Sequence, residues 1–238
     1  MRFLAFDIEC ARVSKIAAHI LSFGYVLADE NFGVLLKEDL LVNPATKIRV
    51  RSKSGDGIDL PYTDAELKNA PRFPAVYGKI RALLEDPENV VIGHAATNDA
   101  RYLNLDAERY GLAPLSFSYY DTQVFYAEEA ENFSALRGLD ALCKEEGAEF
   151  TPHCSMDDAE MTLFLLKRLC EKRKTDFCGL IRETGAEPGV VDDYTVKTAT
   201  TAKFREILAE RAKKKEEKRL AWERSEKNRR KKAANAEK

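Results

Sequence analysis

Apolar residues in the first forty positions of the chain form three short runs that are typical of β-strands. Residues 3–8 form a run that ends in acidic residues, and two further runs cover residues 19–27 and 33–42. Residues 28–31 and the Asn43-Pro44 pair follow the second and third runs and have the composition of turns. Three strands joined by short turns predict an antiparallel meander at the start of the chain.

Strand and helix patterns are mixed in the next part of the chain. Apolar side chains three or four positions apart predict a helix over residues 74–84, and residues 90–93 form a short apolar strand that leads into a helix from about residue 98. This mixture of strands and helices favours an α/β domain. The same criteria predict a strand over residues 117–125 and helices over residues 136–145 and 157–169.

The last sixty residues of the chain have a different character. After residue 178 the apolar pattern weakens, and glycine and proline residues predict a linker over residues 179–197. From residue 198 the chain is dense in helix formers, and acidic and basic residues recur four positions apart. We therefore expect a solvated helical tail over residues 198–238.

The composition divides the chain into an acidic body and a basic tail. With 238 residues, 45% of them apolar, the chain can form one ample core, alone or with an appendage. Its 38 Lys and Arg against 40 Asp and Glu give a net charge of only -2. Residues 203–238 contain 15 basic and 7 acidic residues, a net of +8, which leaves 23 against 33, a net of -10, for residues 1–202.

The sequence predicts neither a membrane span nor a secretory signal. The longest apolar stretch, residues 16–28, is interrupted by polar residues and is shorter than the roughly 20 residues that a spanning helix needs. Asp7 and Glu9 follow a very short apolar run, which is unlike a signal peptide. Five cysteines, an odd number without a C-x-x-C pair, indicate free thiols and a cytoplasmic location.

Four acids stand at the ends of predicted elements: Asp7, Glu9, Asp99 and Asp158. Residues two apart in a strand point to the same face, so Asp7 and Glu9 can present both carboxylates to one place. Clustered carboxylates repel each other unless cations lie among them. Hard divalent ions such as Mg²⁺ or Mn²⁺ take oxygen ligands, and two ions roughly 3.5 to 4 Å apart can stabilise the attacking and leaving oxygens of phosphodiester cleavage.

Each acid also has a structural explanation. Asp99 and Asp158 fall in predicted first helical turns, where the helix dipole favours a negative charge, and Ser155 with Asp158 has the spacing of a capping box. Asp7 and Glu9 are harder to explain in this way, because charges that bound a buried strand are costly without a partner. We interpret that pair as functional.

His153 is a candidate proton acceptor, because it lies five positions before Asp158 on the turn that leads into the predicted helix. Histidine exchanges protons near neutral pH, so a histidine beside metal-binding acids can take a proton from water. An isolated histidine after a proline is more commonly a surface residue. We assign His94 to a structural hydrogen bond and His19 to the core or the sheet surface.

Other chemistries lack their sequence signals. The chain has no G-x-S-x-G nucleophile elbow and no ligand-spaced Cys and His pairs for zinc. The polar segment 52–57 contains an isolated G-x-G but no P-loop lysine. Cys10 is adjacent to Glu9, and packing is its expected role.

Three segments carry a family resemblance: Phe6-Asp7-Ile8-Glu9, Gly93-His94 through Asp99, and His153 through Glu160. They resemble the three exonuclease motifs of the DEDDh superfamily, the DnaQ-like group that includes the proofreading epsilon subunit of bacterial DNA polymerase III. The resemblance covers about residues 1–172 in the correct order and spacing. Segments that look like family connectors are residues 69–73, the Asp121-Thr122 step and residues 139–143.

The resemblance implies a ribonuclease-H-like α/β fold, with a mixed central sheet flanked by helices, in an exonuclease domain over residues 1–178. It also implies 3′-to-5′ hydrolysis of phosphodiester bonds at nucleic-acid ends. A histidine five residues before the final aspartate marks the histidine branch of the superfamily. By motif position, two Mg²⁺ or Mn²⁺ ions would be held by Asp7, Glu9, Asp99 and Asp158, and His153 would be the general base.

The chain departs from the family pattern at three positions. Cys10 stands where the family usually has threonine, and Ala95 and Asn98 replace the usual residues of the second motif. Since the four acids and the histidine are all present, we expect these changes to affect substrate positioning and efficiency more than metal binding.

The substrate and the partners leave alternatives open. The chain could instead be a non-catalytic nucleic-acid-binding or polymerase-associated module, or an exoribonuclease or oligoribonuclease rather than a DNA exonuclease. The expected partner is nucleic acid with a single-stranded 3′ end. The basic tail is predicted either to contact phosphates, with an affinity that salt weakens, or to dock a polymerase or another protein.

Overall fold

The computed structural model describes residues 1–14, 16–47 and 60–236, so the polar segment 52–57 lies outside the described residues. The strands are β1 Arg2–Val13, β2 Ala18–Ala28, β3 Val34–Leu41, β4 Asn89–Gly93, β5 Phe117–Asp121, β6 Gly189–Asp192 and β7 Thr195–Lys197. The helices are α1 Asp64–Asn69, α2 Phe73–Leu84, α3 Ala96–Arg109, α4 Thr122–Glu129, α5 Leu139–Glu145, α6 Ser155–Arg173, α7 Phe177–Thr184 and α8 Ala202–Ala236.

The described strands form one mixed sheet in the order β3-β2-β1-β4-β5-β6-β7. β1 pairs antiparallel with β2 and parallel with β4, β4 pairs parallel with β5, and the other pairs are antiparallel. The predicted meander of the first three strands is present. The prediction of an α/β domain with a mixed central sheet flanked by helices is confirmed.

The alternation of side chains along β1 builds two cores, one on each face of the sheet. Leu4 and Phe6 face a core that includes side chains of α2 and α3, whereas Phe3 and Ala5 face a core formed with α4, α5, α6 and α7. All of these β1 side chains are fully buried. β1 is therefore packed tightly on both of its faces.

The strand predicted over residues 117–125 ends earlier in the structure. β5 stops at Asp121, whose side chain accepts a hydrogen bond from the backbone N–H of Gln123 and so caps α4. The apolar residues after this cap belong to the helix. The helix predicted over residues 136–145 likewise begins only at Leu139.

The segment predicted as a linker, residues 179–197, is part of the folded body, so that prediction is wrong. It contains most of α7 and both β6 and β7, which extend the sheet beyond β5. Two strands of four and three residues are too short to show a periodic pattern. Gly189 provides room for the Tyr119 ring, which a Cβ at that position would overlap, rather than flexibility.

The tail is helical, and α8 begins at Ala202 rather than at residue 198. Its first turns pack on the body, where the Phe204 and Phe133 rings stack with their centroids 5.0 Å apart. Every residue from 208 to 224 is exposed. No helix in the described part of the chain is long and apolar enough to cross a membrane.

A close approach between β2 and the start of α6 depends on Gly24. A Cβ at Gly24 would overlap the backbone of Ser155 and Met156. Glycine is therefore required here for packing, because the first turn of α6 lies directly on the backbone of β2. This contact sets the distance between α6 and the sheet.

Replacing Gly24 by alanine should destabilise the protein by about 1–3 kcal/mol or more, because the added methyl group must push α6 away from the sheet. Chemical denaturation monitored by circular dichroism measures the change. Gly78→Ala is the matched control, since a Cβ at this position in α2 meets no atom within 4 Å. That variant should gain up to about 1 kcal/mol from helix propensity. Equal stability of the two variants would contradict the packing role of Gly24.

Candidate active site

Three of the four predicted acids meet on one face of the sheet. Asp7 and Glu9 continue the face of β1 that packs against α6, and Asp158 is the fourth residue of α6. One carboxylate oxygen of each residue lies within 4.8 Å of the others. The D-x-E pattern in β1 and the start of α6 therefore bring together side chains that are 150 residues apart in the sequence.

Asp99 contributes its charge to the same region, although it is not one of the three acids whose oxygens lie within 4.8 Å of one another. It is the fourth residue of α3, which follows β4, the parallel neighbour of β1. Burial, and then the negative charge of Asp99, raise the pKa of Asp7. Burial, and then the charges of Asp121, Glu9 and Asp158, raise the pKa of Asp99. The four acids thus share one electrostatic environment.

Burial and mutual repulsion disfavour ionisation of the whole group. Burial, with the charges of Asp99, Asp158 and Glu9, raises the pKa of Asp7 well above its usual value. Burial and Asp39 raise the pKa of Glu9 to about 7, and burial and Glu9 raise the pKa of Asp158 to about 7. Among the described residues, no Lys or Arg forms an ion pair with any of the four acids.

His153 lies at the edge of this group with its side chain 45% exposed. Its Nδ1 is 3.4 Å from Oε1 of Glu9, and its backbone N–H donates a hydrogen bond of 3.0 Å to Oδ2 of Asp158. Its φ of 70° places the backbone in the left-handed region. This conformation turns the chain into α6 while the imidazole stays beside the acids.

Asp7, Glu9, Asp158 and His153 line a cleft of about 350 Å³, which His94 and the residues around Leu139 also border. His94 Nδ1 lies 2.8 Å from Oγ1 of Thr122, and Nε2 lies 3.0 Å from the carbonyl oxygen of Arg137. Burial lowers the pKa of His94 to about 4, so the ring is neutral at physiological pH. The structure thus gives His94 the hydrogen bonds predicted for it, at the wall of the cleft.

Ala95 and Asn98, the two positions that depart from the family's second motif, lie where the chain turns from β4 into the first turn of α3. Ala95 has a φ of 59°, and its N–H donates to Oδ1 of Asp121 at 3.0 Å. In the sequence, Asp121 belongs only to a step that resembles a family connector. The structure shows that it fixes the start of α3, which carries Asp99, in addition to capping α4. Asn98 is exposed, and Cys10 is partly buried beside the acids.

Two residues near the site had no signal in the sequence. Asp39 on β3 and Tyr62, which precedes α1, both bond to the hydroxyl of Ser155. The capping-box interpretation of Ser155 with Asp158 is wrong, because Cys154 is the N-cap of α6 and Ser155 is its first residue. The Ser155 hydroxyl instead bonds to Asp39 and Ser22.

The donor set of the site fits hard divalent cations. Mg²⁺ and Mn²⁺ prefer carboxylate oxygens, and the three oxygens of Asp7, Glu9 and Asp158 are close enough to share one ion. Positive charge would also relieve the repulsion that raises the pKa of these acids. The charge of Asp99 extends the favourable region for cations toward α3.

Comparison with known proteins identifies relatives of this arrangement. The exonuclease family model RNase_T matches residues 4–166, a range that contains all five predicted site residues. A search of curated proteins finds no match. Comparisons with solved structures are significant, but their low sequence identities show a shared fold alone.

A 3′-exonuclease recognising the 3′ end of a histone mRNA stem-loop has 13% identity and a TM-score of 0.63, over 84% of this chain and 71% of that one. Cell-death related nuclease 4 has 16% identity and a TM-score of 0.56, over 72% and 64%. E. coli Exonuclease I in complex with a dA16 oligonucleotide has 18% identity and a TM-score of 0.56, over 77% of this chain and 43% of that one. This chain thus spans less than half of Exonuclease I. The predicted ribonuclease-H-like fold is confirmed.

The acid group should give the metal-free protein an unusual dependence of stability on pH. The folded-state pKa values of Glu9 and Asp158 are about 7, whereas their usual values are 4.5 and 3.8. Their contribution to stability is complete below pH 4 and is lost as the pH rises through 7, because the unfolded chain ionises more easily. Thermal melting in EDTA from pH 4 to 8 measures this, with Glu9→Gln as the comparison. Relative to the wild type, Glu9→Gln should become more stable as the pH rises.

Addition of Mn²⁺ at pH 7.5 should raise the melting temperature of the wild type by relieving the same repulsion. The shift should be much smaller for Asp7→Asn, because one of the three clustered carboxylates is then neutral. Identical shifts in the two proteins would show that the ion binds elsewhere.

Proposed function

The chain belongs to the RNase_T exonuclease family, and we propose that it is a metal-dependent nuclease that hydrolyses phosphodiester bonds at nucleic-acid 3′ ends in the 3′-to-5′ direction. The observation that carries the proposal is the meeting of Asp7, Glu9 and Asp158 within 4.8 Å, with the charge of Asp99 added, in a cleft bordered by His153.

The four acids are the proposed ligands of two Mg²⁺ or Mn²⁺ ions. When bound, such ions supply electrostatic stabilisation to the attacking and leaving oxygens of the phosphodiester. Asp7 and Glu9 are fixed by β1, which packs against a core on each face of the sheet, and Asp99 and Asp158 by the first turns of helices. This rigidity holds the carboxylates in place against their mutual repulsion.

His153 is the proposed general base. If its Nδ1–H faces Oε1 of Glu9, 3.4 Å away, Nε2 is the nitrogen free to take a proton from the attacking water. The exposure of the ring leaves this nitrogen accessible to solvent. The backbone hydrogen bond from His153 to Asp158 ties the base to one of the proposed ligands.

The similar structures include proteins that bind ribonucleotides or RNA and proteins that bind DNA oligonucleotides. The 3′-exonuclease recognises an RNA 3′ end, the nuclease domain of a DEDDh member is bound to rAMP, and Exonuclease I is bound to DNA oligonucleotides. This range supports a single-stranded 3′ end as substrate and leaves both sugars as candidates. The likeness to the epsilon subunit, and a polymerase as partner, stay predictions.

The basic helix α8 offers phosphate contacts that the acidic body lacks. Residues 203–238 carry a net charge of +8, and residues 208–224 are all exposed. Sequence-independent contacts between Lys or Arg and phosphates would raise the affinity for nucleic acid. We propose this role for α8, with the docking of a protein as the alternative.

Removal of single site residues tests the reaction. With end-labelled single-stranded DNA and RNA in Mg²⁺ or Mn²⁺, the wild type should give a ladder that shortens from the 3′ end. Asp7→Ala and Asp158→Ala should give no turnover while remaining folded. His153→Ala should bind metal but lose about 10²- to 10⁴-fold in kcat, the usual contribution of a general base.

Asp157→Ala is the matched control for Asp158→Ala, because Asp157 is the adjacent acid of α6 and is not one of the three clustered acids. Its activity should be close to that of the wild type. Full activity of Asp7→Ala would disprove the metal assignment, and a ladder that shortens from the 5′ end would disprove the polarity.

Shortening the chain after Arg211 tests α8 while keeping the Phe204 contact with the body. The affinity for an oligonucleotide should fall, and the dependence of log K on log salt concentration should become shallower because fewer counterions are released. Fluorescence anisotropy between 50 and about 200 mM salt measures both effects. Identical binding curves for the two proteins would eliminate the phosphate-contact role.

A further inference from the structure

A polar cluster below the first turn of α6 has no place in the proposed reaction as described so far. It consists of Ser22, Asp39, Tyr62 and Ser155, which come from β2, β3, the segment before α1, and α6. Ser22 and Ser155 are fully buried. The cluster therefore joins four separate parts of the chain at the point where α6 begins.

Asp39 is the centre of the cluster. One of its carboxylate oxygens accepts the Ser155 hydroxyl at 2.9 Å, and the other accepts the Tyr62 hydroxyl. A carboxylate can accept from both hydroxyls at once, which an amide in the same place could not. Ser22 completes the cluster, with its Oγ 2.7 Å from that of Ser155.

Tyr62 also replaces a missing helix cap. The N-cap residue of α6, Cys154, makes no side-chain capping hydrogen bond. The backbone N–H of Ser155, one of the donors that a helix start leaves without an intrahelical partner, is directed at the Tyr62 hydroxyl at 3.3 Å. Tyr62 thus links the backbone of the helix start to Asp39.

Ser155, the member of the cluster on α6, lies between two of the proposed functional residues in the sequence. His153 immediately precedes the N-cap of α6, and Asp158 follows Ser155 by three positions. Their direct hydrogen bond at 3.0 Å couples them, so a movement of Ser155 displaces both relative to Glu9. Gly24 allows α6 to lie close against the sheet, and the cluster limits how far the helix can slide or tilt.

We propose that Tyr62 and Asp39 are positioning residues that hold the start of α6 so that Asp158 and His153 face the acids of β1. Neither residue is proposed to touch substrate. The inference rests on the proposed function and adds to it two residues that act through Ser155.

Tyr62→Phe is the primary test, because it removes the hydroxyl and keeps the ring that packs near Leu67. We expect kcat to fall by about 10- to 100-fold, the scale of effect of an angstrom-sized misplacement, with KM changed by less than about twofold. The dissociation constant for Mn²⁺, read by electron paramagnetic resonance without substrate, should rise by about 10- to 100-fold, as for other residues that orient metal ligands.

Tyr77→Phe is the matched control. The Tyr77 hydroxyl is also hydrogen-bonded, to the carbonyl of Ala113, but its ring packs in the core on the other face of the sheet. Its removal should leave kcat and Mn²⁺ binding at wild-type values even if the melting temperature falls. If kcat and the affinity for Mn²⁺ fall as much in Tyr77→Phe as in Tyr62→Phe, the effect of Tyr62 is one of general stability, and the inference is overturned.

Other results for Tyr62→Phe, and results for Asp39→Asn and the wild type, also decide whether the inference holds. Unchanged kcat and Mn²⁺ binding in Tyr62→Phe, or a change in KM alone, would overturn the inference. If Tyr62→Phe does not fold, Asp39→Asn is judged by the same two measurements, and its expected losses are the same. Absence of both Mn²⁺ binding and hydrolysis in the wild type would refute the proposed function itself, and the inference with it.

Discussion

Repulsion among carboxylates in a partly buried cleft is the constraint on which this site depends. Asp7, Glu9, Asp99 and Asp158 come from three elements. Besides burial, the charges of the other three acids raise the pKa of Asp7, and the charge of Glu9 also raises the pKa of Asp99 and of Asp158. In the described part of the chain no Lys or Arg offsets them. The surrounding structure therefore holds these groups together against an electrostatic force that would separate them, and rigid secondary structure is the means by which it does so.

The two acids carried by helices show how part of that repulsion is reduced. Asp99 and Asp158 are each the fourth residue of a helix, close to the partial positive charge of its N-terminus. In the sequence, a favourable interaction with the helix dipole and a role in metal binding are competing explanations for these two acids. In the structure the two explanations are compatible. The helix dipole lowers the free-energy cost of placing a negative charge at a position where it could bind a metal ion.

The sequence predicted the parts of the site that depend on local pattern. The D-x-E spacing on β1 and the starts of α3 and α6 follow from residues that are close in the chain. The contacts of Tyr62 and Asp39 with Ser155 join residues 93 and 116 positions apart, so no local pattern could indicate them. The short strands β6 and β7 were missed for a related reason. They are stabilised by pairing with β5, and their own few residues carry too little periodicity to predict a strand.

The exposed part of α8 gives the molecule two electrostatic regions that act independently. At 1.5 Å per residue, the exposed helix over residues 208–224 is about 25 Å long, about three times the Debye length of about 8 Å at physiological ionic strength. Mobile ions therefore screen most of this arm from the acidic body. The net charge of -2 is consequently a poor guide to how the protein meets other molecules: a polyanion that approaches the arm encounters a cationic rod, whereas one that approaches the cleft directly encounters an anionic surface.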